Sequence, residues 1–375
     1  MVSVASRQAR LRWAAVVCGA VALCALPVAV RALPVPDSRI GAAALRARIL
    51  ASAHMPYQGY AESTVSLGIP ELPDLSDVSM LLNGTTDQYA WYRSPGRWRA
   101  AVITAAGEED TYQAGTATYL WEYDHNLLTR IIGSPPARLP RAADLLPPAL
   151  GRRLLVLAAG AGHLSRLPSR RIAGIDAAGL RVLPADPRTT VAAVDIWADP
   201  ATGLPAAVQI FARGSGRPVL ISRFLQLTES PPALSAVAPD PAPGVDTATA
   251  EFPDVSRILN GFGPPLPGQL AGLTRVQEPG GLAPLGAYGT GFTRFAVIPL
   301  PDRVGFQALS AALAAGAARV LLPDGAAVEI RTPLLTVDLA TSRFGGPVFL
   351  LAGPVTPALL RRAATGLLAK SVVVP

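Results

Sequence analysis

The chain has 375 residues, half of them apolar and only 16% charged, enough for two cores and far from a disordered composition. Its net charge of +7 overstates its basicity: residues 1–32 hold four arginines and no acid, so 29 basic residues face all 26 acids in the remainder. That balance argues against a nucleic-acid binder, which needs a clustered basic face.

The two cysteines are Cys18 and Cys24, so disulfides, thiol catalysis and cysteine-held metal are excluded beyond residue 24. Arg7, Arg10 and Arg12 precede an uncharged stretch, Trp13–Val30, and Val30-Arg31-Ala32 fits a small-x-small cleavage rule. Residues 1–32 read as a signal peptide or as an uncleaved membrane anchor at the lower length limit for a bilayer span. Basic residues on the amino side place the rest of the chain outside the cytoplasm. Val17 and Leu23, which precede the cysteines, argue against a lipidation signal.

After a Pro34–Pro36 linker, Ser38 can cap a helix over 40–53 that ends at His54-Met55-Pro56. Tyr57–Leu67 reads as a strand. Asp74 or Ser76 can cap a short helix that closes at Asn83-Gly84. The stretch Gln88–Ile132 is the most informative. Runs near 88–93, 97–104, 109–114 and 117–123, with a fifth after Asp124-His125-Asn126, are separated by Ser94-Pro95-Gly96, Ala106-Gly107 and Gly115-Thr116. Turn residues at this spacing between β-favouring runs predict an antiparallel meander. Alternation puts Tyr119, Trp121 and Tyr123 on one face, and sets Trp98, Ala100 and Val102 against Arg97, Arg99 and Ala101.

Ala142–Ala159 reads as helix interrupted at Pro147-Pro148. Strands follow at Arg170–Ile175 with Gly179–Pro184, then Val191–Ala198, Ala206–Ala212 and Val219–Leu227, with Asp199–Gly203 as a tight turn. Ser230–Pro253 is rich in Pro and Ala and predicts an extended, mobile connector. Phe262–Gly281 reads as loop. The last block predicts strands at Phe292–Leu300, Ala318–Leu322, Ala327–Ile330, Leu334–Leu339 and Val348–Leu351. Helices are expected at Arg303–Ala315 and from Thr356-Pro357 to Ala369. The organisation expected is a β-rich domain over 39–230, a linker over 231–262 and a small α+β domain over 263–375.

Signals for catalysis are sparse. His54, His125 and His163 lack metal-ligand spacing. Gly214-Ser215-Gly216 is no nucleophile elbow and reads as a hairpin tip. Glu108-Glu109-Asp110 reads as a solvated turn edge, though paired carboxylates also serve hydrolysis. Gly289-Thr290-Gly291 lacks the third glycine and following helix of a phosphate loop, and reads as a turn before Phe292. No catalytic residue, metal ligand or cofactor is assigned. Aromatic residues of the meander either form core or line a hollow for an apolar guest. The candidates for such a lining are Tyr89, Trp91, Trp98, Val102, Tyr119, Trp121 and Tyr123.

Several motifs carry a resemblance. They are Met55-Pro56-Tyr57-Gln58-Gly59 after a helix, Trp91-Tyr92-Arg93-Ser94-Pro95-Gly96-Arg97-Trp98-Arg99 and Tyr119-Leu120-Trp121-Glu122-Tyr123. Val194-Asp195-Ile196-Trp197-Ala198-Asp199 follows, then Thr202-Gly203-Leu204-Pro205. Together they resemble the lipoprotein-carrier (LolA/LolB) fold as it occurs in the RseB/MucB family of sigma-E regulatory proteins. The turn Asp199-x-x-Thr202-Gly203-Leu204-Pro205 is the most specific piece. Residues after the linker, with Tyr288-Gly289-Thr290-Gly291-Phe292 leading into a strand, are similar to the small C-terminal domain of RseB-type members.

The resemblance implies an α+β fold: an unclosed antiparallel half-barrel wrapped over helices, with an apolar cavity for acyl chains, then a small α+β domain. It also implies a non-enzymatic, extracytoplasmic regulator that binds a lipid or acyl chain and a membrane-anchored protein such as an anti-sigma factor. A lipid or lipoprotein carrier using the same cavity is the alternative, and a hydrolase with a spatially assembled site the second.

Overall fold

The computed structural model describes residues 35–68, 76–104, 107–133, 140–160, 162–241, 243–251, 265–276 and 286–371, together with Trp13, Val16 and Val17. Most of the expected signal or anchor segment and part of the expected linker (252–262) lie outside the described residues. Among the described residues, no helix is long and apolar enough to cross a membrane.

The first sheet has twelve strands. They are β1 (Tyr57–Val65), β2 (Thr85–Ser94), β3 (Arg97–Ile103), β4 (Glu108–Ala114), β5 (Ala117–Glu122), β6 (Leu127–Ile132), β7 (Gly162–Ile172), β8 (Ile175–Pro184), β9 (Val191–Ala198), β10 (Pro205–Ala212), β11 (Pro218–Thr228) and β12 (Asp246–Glu251). Their order is β12-β6-β5-β4-β3-β2-β1-β11-β10-β9-β8-β7, open at both ends. Every pairing is antiparallel except β12 on β6. The aromatic meander and the second hairpin series thus flank β1, the one strand that pairs with both β2 and β11.

Helices α1 (Ala42–Ala51) and α3 (Pro147–Leu157) cover one face, while α2 (Ser76–Asn83) packs beside β1 and β2. Leu45 and Ile49 of α1 and Leu150, Leu154 and Leu155 of α3 meet Leu180, Val194, Ile196, Val208, Ile210 and Leu220 of the sheet. These side chains sit at alternate strand positions, so burial and β-register agree. Pro147 and Pro148 occupy the first turn of α3, where a missing N–H costs nothing. A 3-10 turn, Ala142–Leu145, precedes them where the sequence predicted interrupted helix. Hydrogen bonds hold that turn down: Gln88 Nε2 donates to the Ala142 carbonyl at 3.0 Å, and the hydroxyls of Ser63 and Ser222 reach the Leu145 carbonyl.

The second sheet has the order β13-β14-β15-β16-β20-β19-β18-β17. Its strands are β13 (Gln269–Leu270), β14 (Leu273–Val276), β15 (Gly286–Thr290), β16 (Thr293–Leu300), β17 (Ala318–Leu322), β18 (Gly325–Arg331), β19 (Thr336–Ser342) and β20 (Val348–Gly353). Leu359, Leu360, Ala363, Leu367 and Leu368 of α5 (Pro357–Ser371) pack on one face against Phe295, Val297, Phe349 and Leu351. Ala312 of α4 (Asp302–Ala314) packs on the other against Val328, Leu339 and Val348.

Three expectations are corrected. The hairpin after α3 turns at Ala173-Gly174, both with positive φ, so its strands are longer than Arg170–Ile175 and Gly179–Pro184. Pro168 is tolerated inside β7 because β7 is an edge strand and bulged there. The stretch read as loop over 262–281 contains β13 and β14. The Pro/Ala-rich connector is docked over part of its length: Ser235–Val237 lies against β2, β3 and β4, and β12 extends the sheet beyond β6.

The two sheets also meet directly. The loop before β9 is fixed to the turn before α5: Thr189 Oγ1 donates to the Pro354 carbonyl at 2.8 Å, and Thr356 N to the Arg188 carbonyl at 2.8 Å. Phe292 and Leu334 from the second half join the core of the first.

The Asp199–Gly203 turn locks α1 to the sheet. Asp199 Oδ1 accepts from the amides of Ala201 and Thr202, and Gly203 has a φ of +77°. A Cβ there would lie 2.4 Å from the Arg48 carbonyl oxygen in α1. Gly203→Ala is therefore expected to destabilise the fold by about 2–4 kcal/mol, read as a lower denaturant midpoint. An unchanged midpoint would contradict this packing.

Under α5, Asp338 of β19 is fully buried opposite Glu329 of β18. Neither carboxylate oxygen of Asp338 has a hydrogen-bond partner. Burial and the Glu329 charge push its pKa up to about 7. Burial disfavours the Glu329 charge as well, but Arg361 and Arg331 outweigh it and hold that carboxyl low. Because the folded pKa of Asp338 exceeds the unfolded value, its ionisation removes stability as pH rises from about 4 to 7, and the loss is complete above that. Asp338→Asn should raise stability at pH 8 by about 2–4 kcal/mol and change it little at pH 4. Equal thermal shifts at both pH values would contradict this.

Candidate functional site

Register decides which face each aromatic residue of the meander occupies. Tyr57 pairs with Tyr92, Tyr92 with Trp98, Ala90 with Ala100 and Gln88 with Val102. Tyr57, Tyr92, Trp98 and Ala100 belong to one apolar cluster with Leu146 and Phe224, so Trp98 and Val102 lie on the helix-covered, inner face. Trp91 pairs with Arg99, Arg99 with Tyr112, Tyr112 with Tyr119, and Asp110 with Trp121. Tyr89, Trp91, Tyr119, Trp121 and Tyr123 therefore lie on the outer face. The seven candidate lining residues do not form one surface.

The outer face carries a stacked ladder rather than a hollow. Tyr60 and Tyr89 are 4.8 Å apart, Tyr89 and Trp91 5.8 Å, and Trp121 and Tyr123 4.9 Å at 11° between planes. The Arg99 guanidinium lies over Trp91 at 4.6 Å and over Tyr112 at 5.3 Å. It also pairs with Asp110 and Glu108, each at 2.8 Å. Tyr112 and Tyr123 donate their hydroxyls to Asp110 Oδ2 at 2.9 and 3.3 Å. Asp110 is thus the buried centre of the ladder, not part of a solvated turn. Burial raises its pKa to about 6 despite the Arg99 charge. Glu108 and Asp110 do not make a hydrolytic pair, because both carboxylates are spent on one guanidinium.

The inner face is where apolar area is left over. Over β8–β11 it is sealed by α1 and α3. Over β3–β6 the large apolar inward positions are Trp98, Val102, Leu120, Leu127 and Ile131, assigned by the pairs Gln88–Val102, Thr111–Leu120, Thr118–Ile131 and Glu122–Leu127. Of these only Ile131 is buried; the other four remain half-buried. Two carboxylates share this face. Val102 pairs with Glu109, Glu109 with Glu122 and Glu122 with Leu127, so both acids sit in the row at one end of the strands. Leu120, Leu127 and Ile131 were missed at the sequence level, because the conspicuous aromatic residues of β5 point the other way. Counting alternation across strands, rather than within one, was the available signal.

The remaining candidates do not converge. His54 and His125 are exposed at a helix end and in a turn, and His163 is exposed on edge strand β7. Among the described residues no group of three or more His, Cys, Asp or Glu could hold a metal ion. Gly214-Ser215-Gly216 is the β10–β11 tip, and Gly291-Phe292 the turn between β15 and β16. A cleft of about 150 Å³ lies at the junction of the two sheets, lined by Pro184, Ala185, Asp186, Thr290, Phe292 and Thr293. It is smaller than the roughly 300–1,000 Å³ of usual small-molecule sites. Its Asp186 is held at about 2 by Arg188.

No protein-family model matches the sequence, and no curated protein is significantly similar to it. Among solved structures the chain is similar to the MucA/MucB complex of Pseudomonas aeruginosa, at 18% identity and a TM-score of 0.49 over 86% of this chain and 96% of that one. It is similar to a crystal structure of MucB at 17% identity and a TM-score of 0.45, over 86% and 96%. It is also similar to a LolA superfamily protein from Nitrosomonas europaea, at 11% identity and a TM-score of 0.25, over 53% and 98%.

The outer ladder makes a stability claim. Removing Arg99 leaves Asp110 buried without its cation, so Arg99→Ala is expected to cost about 3 kcal/mol at pH 8. The cost should shrink at pH 5, where Asp110 is protonated, and in the Arg99→Ala/Asp110→Asn double variant. A cost independent of pH and of Asp110, in urea unfolding at both pH values, would contradict this role.

Proposed function

We propose that the protein is an exported, non-enzymatic regulatory or sensor protein. Its first sheet binds a lipophilic ligand on the inner face of β3–β6, and the whole engages a membrane-anchored protein partner. The observation that carries the ligand half is the set Trp98, Val102, Leu120 and Leu127: inward-facing, apolar and only half-buried. Each such side chain left partly in water forgoes about 1–2 kcal/mol of burial, which an acyl chain laid along the strip would recover. The polar inward neighbours of the strip are mostly uncharged, namely Thr111, Gln113, Thr118 and Thr129. The charged ones, Glu109 and Glu122, are confined to one end. That arrangement suits an acyl tail whose headgroup is neutral or zwitterionic, because an acidic head would meet like charge.

Export is supported by the Arg-led apolar stretch Trp13–Val30, which has Arg7, Arg10 and Arg12 on its amino side against Arg31 alone on the other. An anti-sigma factor as the partner follows from the sequence resemblance to RseB/MucB-type regulators. The carrier reading shares the strip and differs only in lacking a protein partner.

Solvent extraction of the exported protein, followed by mass spectrometry, is expected to release a near-stoichiometric lipid. Val102→Glu with Leu120→Glu should reduce it at least tenfold without changing the far-ultraviolet spectrum. Mild-detergent capture from membranes should recover a membrane protein. Lipid without any protein partner would favour the carrier, and neither lipid nor partner would overturn both readings.

A further inference from the structure

The outer edge of the first sheet carries the positive charge of the folded part. Beyond residue 32 the chain's net charge is +3. Residues 35–54 and 162–176 together hold Arg39, Arg46, Arg48, Arg166, Arg170 and Arg171 against only Asp37 and Asp176, a local net of +4. Everything else is therefore close to neutral. Helix α1 packs against β7 and β8 from the inner side and Arg170 lies over Trp197 on the outer side, so the two stretches flank the edge strand β7 from both faces.

Little of this charge is neutralised. Arg171 pairs with Asp176 at 2.8 Å. Arg48 and Arg166 donate to the carbonyls of Pro200 and Ser38, and Arg170 lies over the Trp197 ring at 4.1 Å. Among the described residues, Arg39, Arg46, Arg48, Arg166 and Arg170 have no carboxylate partner. Elsewhere in the sheet some cations are matched, as in Arg181–Asp195, Arg223–Glu62 and Arg99–Asp110, and those without a carboxylate among the described residues, such as Arg97 and Arg130, are dispersed along the strands.

The same edge is where the chain arrives from its N-terminal apolar stretch. Ser169 N of β7 donates to Asp37 Oδ1 at 2.9 Å, and Ser38 N donates to Ser169 Oγ at 3.1 Å. Only residues 31–34 separate Val30 from Val35. Five Cα steps reach at most about 18 Å. A bilayer that holds Trp13–Val30 must therefore lie within that distance of Val35, two residues from the contact with β7.

We infer that the β7–α1 edge is a docking surface for an anionic lipid bilayer, with Arg39, Arg46 and Arg170 facing its headgroups. Charge selects the partner: arginines within a Debye length of an anionic leaflet are attracted to it, and the effect is screened by salt. The inference rests on the reading that the chain is exported with its apolar stretch at the membrane.

The test uses the full chain with Cys18→Ser and Cys24→Ser, and a donor dye on Ser165→Cys, an exposed β7 position. The protein is mixed with vesicles of phosphatidylcholine alone, or of phosphatidylcholine and phosphatidylglycerol in equal parts, each with an acceptor lipid. Flotation in both vesicle types, insensitive to salt, reports the apolar stretch. Energy transfer at position 165 reports the edge. It should rise at least twofold in the anionic vesicles at low salt. That rise should vanish in 1 M salt and in the Arg39→Gln/Arg46→Gln/Arg170→Gln variant, whose unfolding midpoint is measured alongside. Flotation without any charge-dependent rise overturns the edge and leaves the anchor reading standing. A charge-dependent rise without flotation on neutral vesicles supports the edge and counts against the anchor. Neither signal overturns both.

Discussion

The structure depends on one constraint: a sheet with a period of two must bury one face, and the helical cover here is shorter than the sheet. Two helices of ten and eleven residues seal the inward side chains of β8–β11. They do not reach across β3–β6, where Trp98, Val102, Leu120 and Leu127 keep part of their surface in water. Residual apolar area at a fixed place is what turns a scaffold into a binding surface. The opposite face of the same strands solves its exposure differently. There the rings stack on one another and on a guanidinium, around a carboxylate that would be costly to bury alone.

The clamp on the inner face shows how the cover is positioned. Gln88, Ser63 and Ser222 are buried polar residues, and each is spent on the 142–145 turn. Their hydrogen bonds set where α3 begins and hence where the cover ends. At the other end Gly203 lets the β9–β10 turn approach α1 within backbone contact. The two halves of the chain are likewise joined by backbone partners, through Thr189 and Thr190 with Pro354, and by Phe292 and Leu334 entering the first core.

Much of this was legible in the sequence, because strong local signals agree with the global pattern. The meander strands, the Asp199–Gly203 turn and the last two helices stand within a few residues of where turn and cap residues put them. The open α+β sheet with its small second α+β part also stands as the motifs implied. What failed was where one rule masked another. Ala173-Gly174 sits inside the run read as one strand, Arg170–Ile175, yet it is the turn between β7 and β8. The 262–281 stretch is Pro- and Gly-rich, yet contributes short strands to the second sheet. The aromatic residues read as one candidate lining, but large rings also pack well on themselves. Only the cross-strand register separates Trp98 and Val102 from Tyr89, Trp91, Tyr119, Trp121 and Tyr123. Long-range electrostatics were invisible too: Asp110 reads as one of three acids at a turn, and only pairing with Arg99 across β3–β4 shows its burial.

The central claim is that the leftover apolar strip of the inner face, and not the outer ladder, receives the lipophilic guest. Photolabelling with phosphatidylethanolamine bearing a diazirine in its acyl tail, mapped by peptide mass spectrometry, tests it most directly. The account predicts adducts on the β3, β5 and β6 peptides at Trp98, Val102, Leu120 and Leu127, competed away by the unlabelled lipid. Adducts confined to Tyr89, Trp91, Trp121 and Tyr123, or labelling that competitor does not reduce, would contradict it.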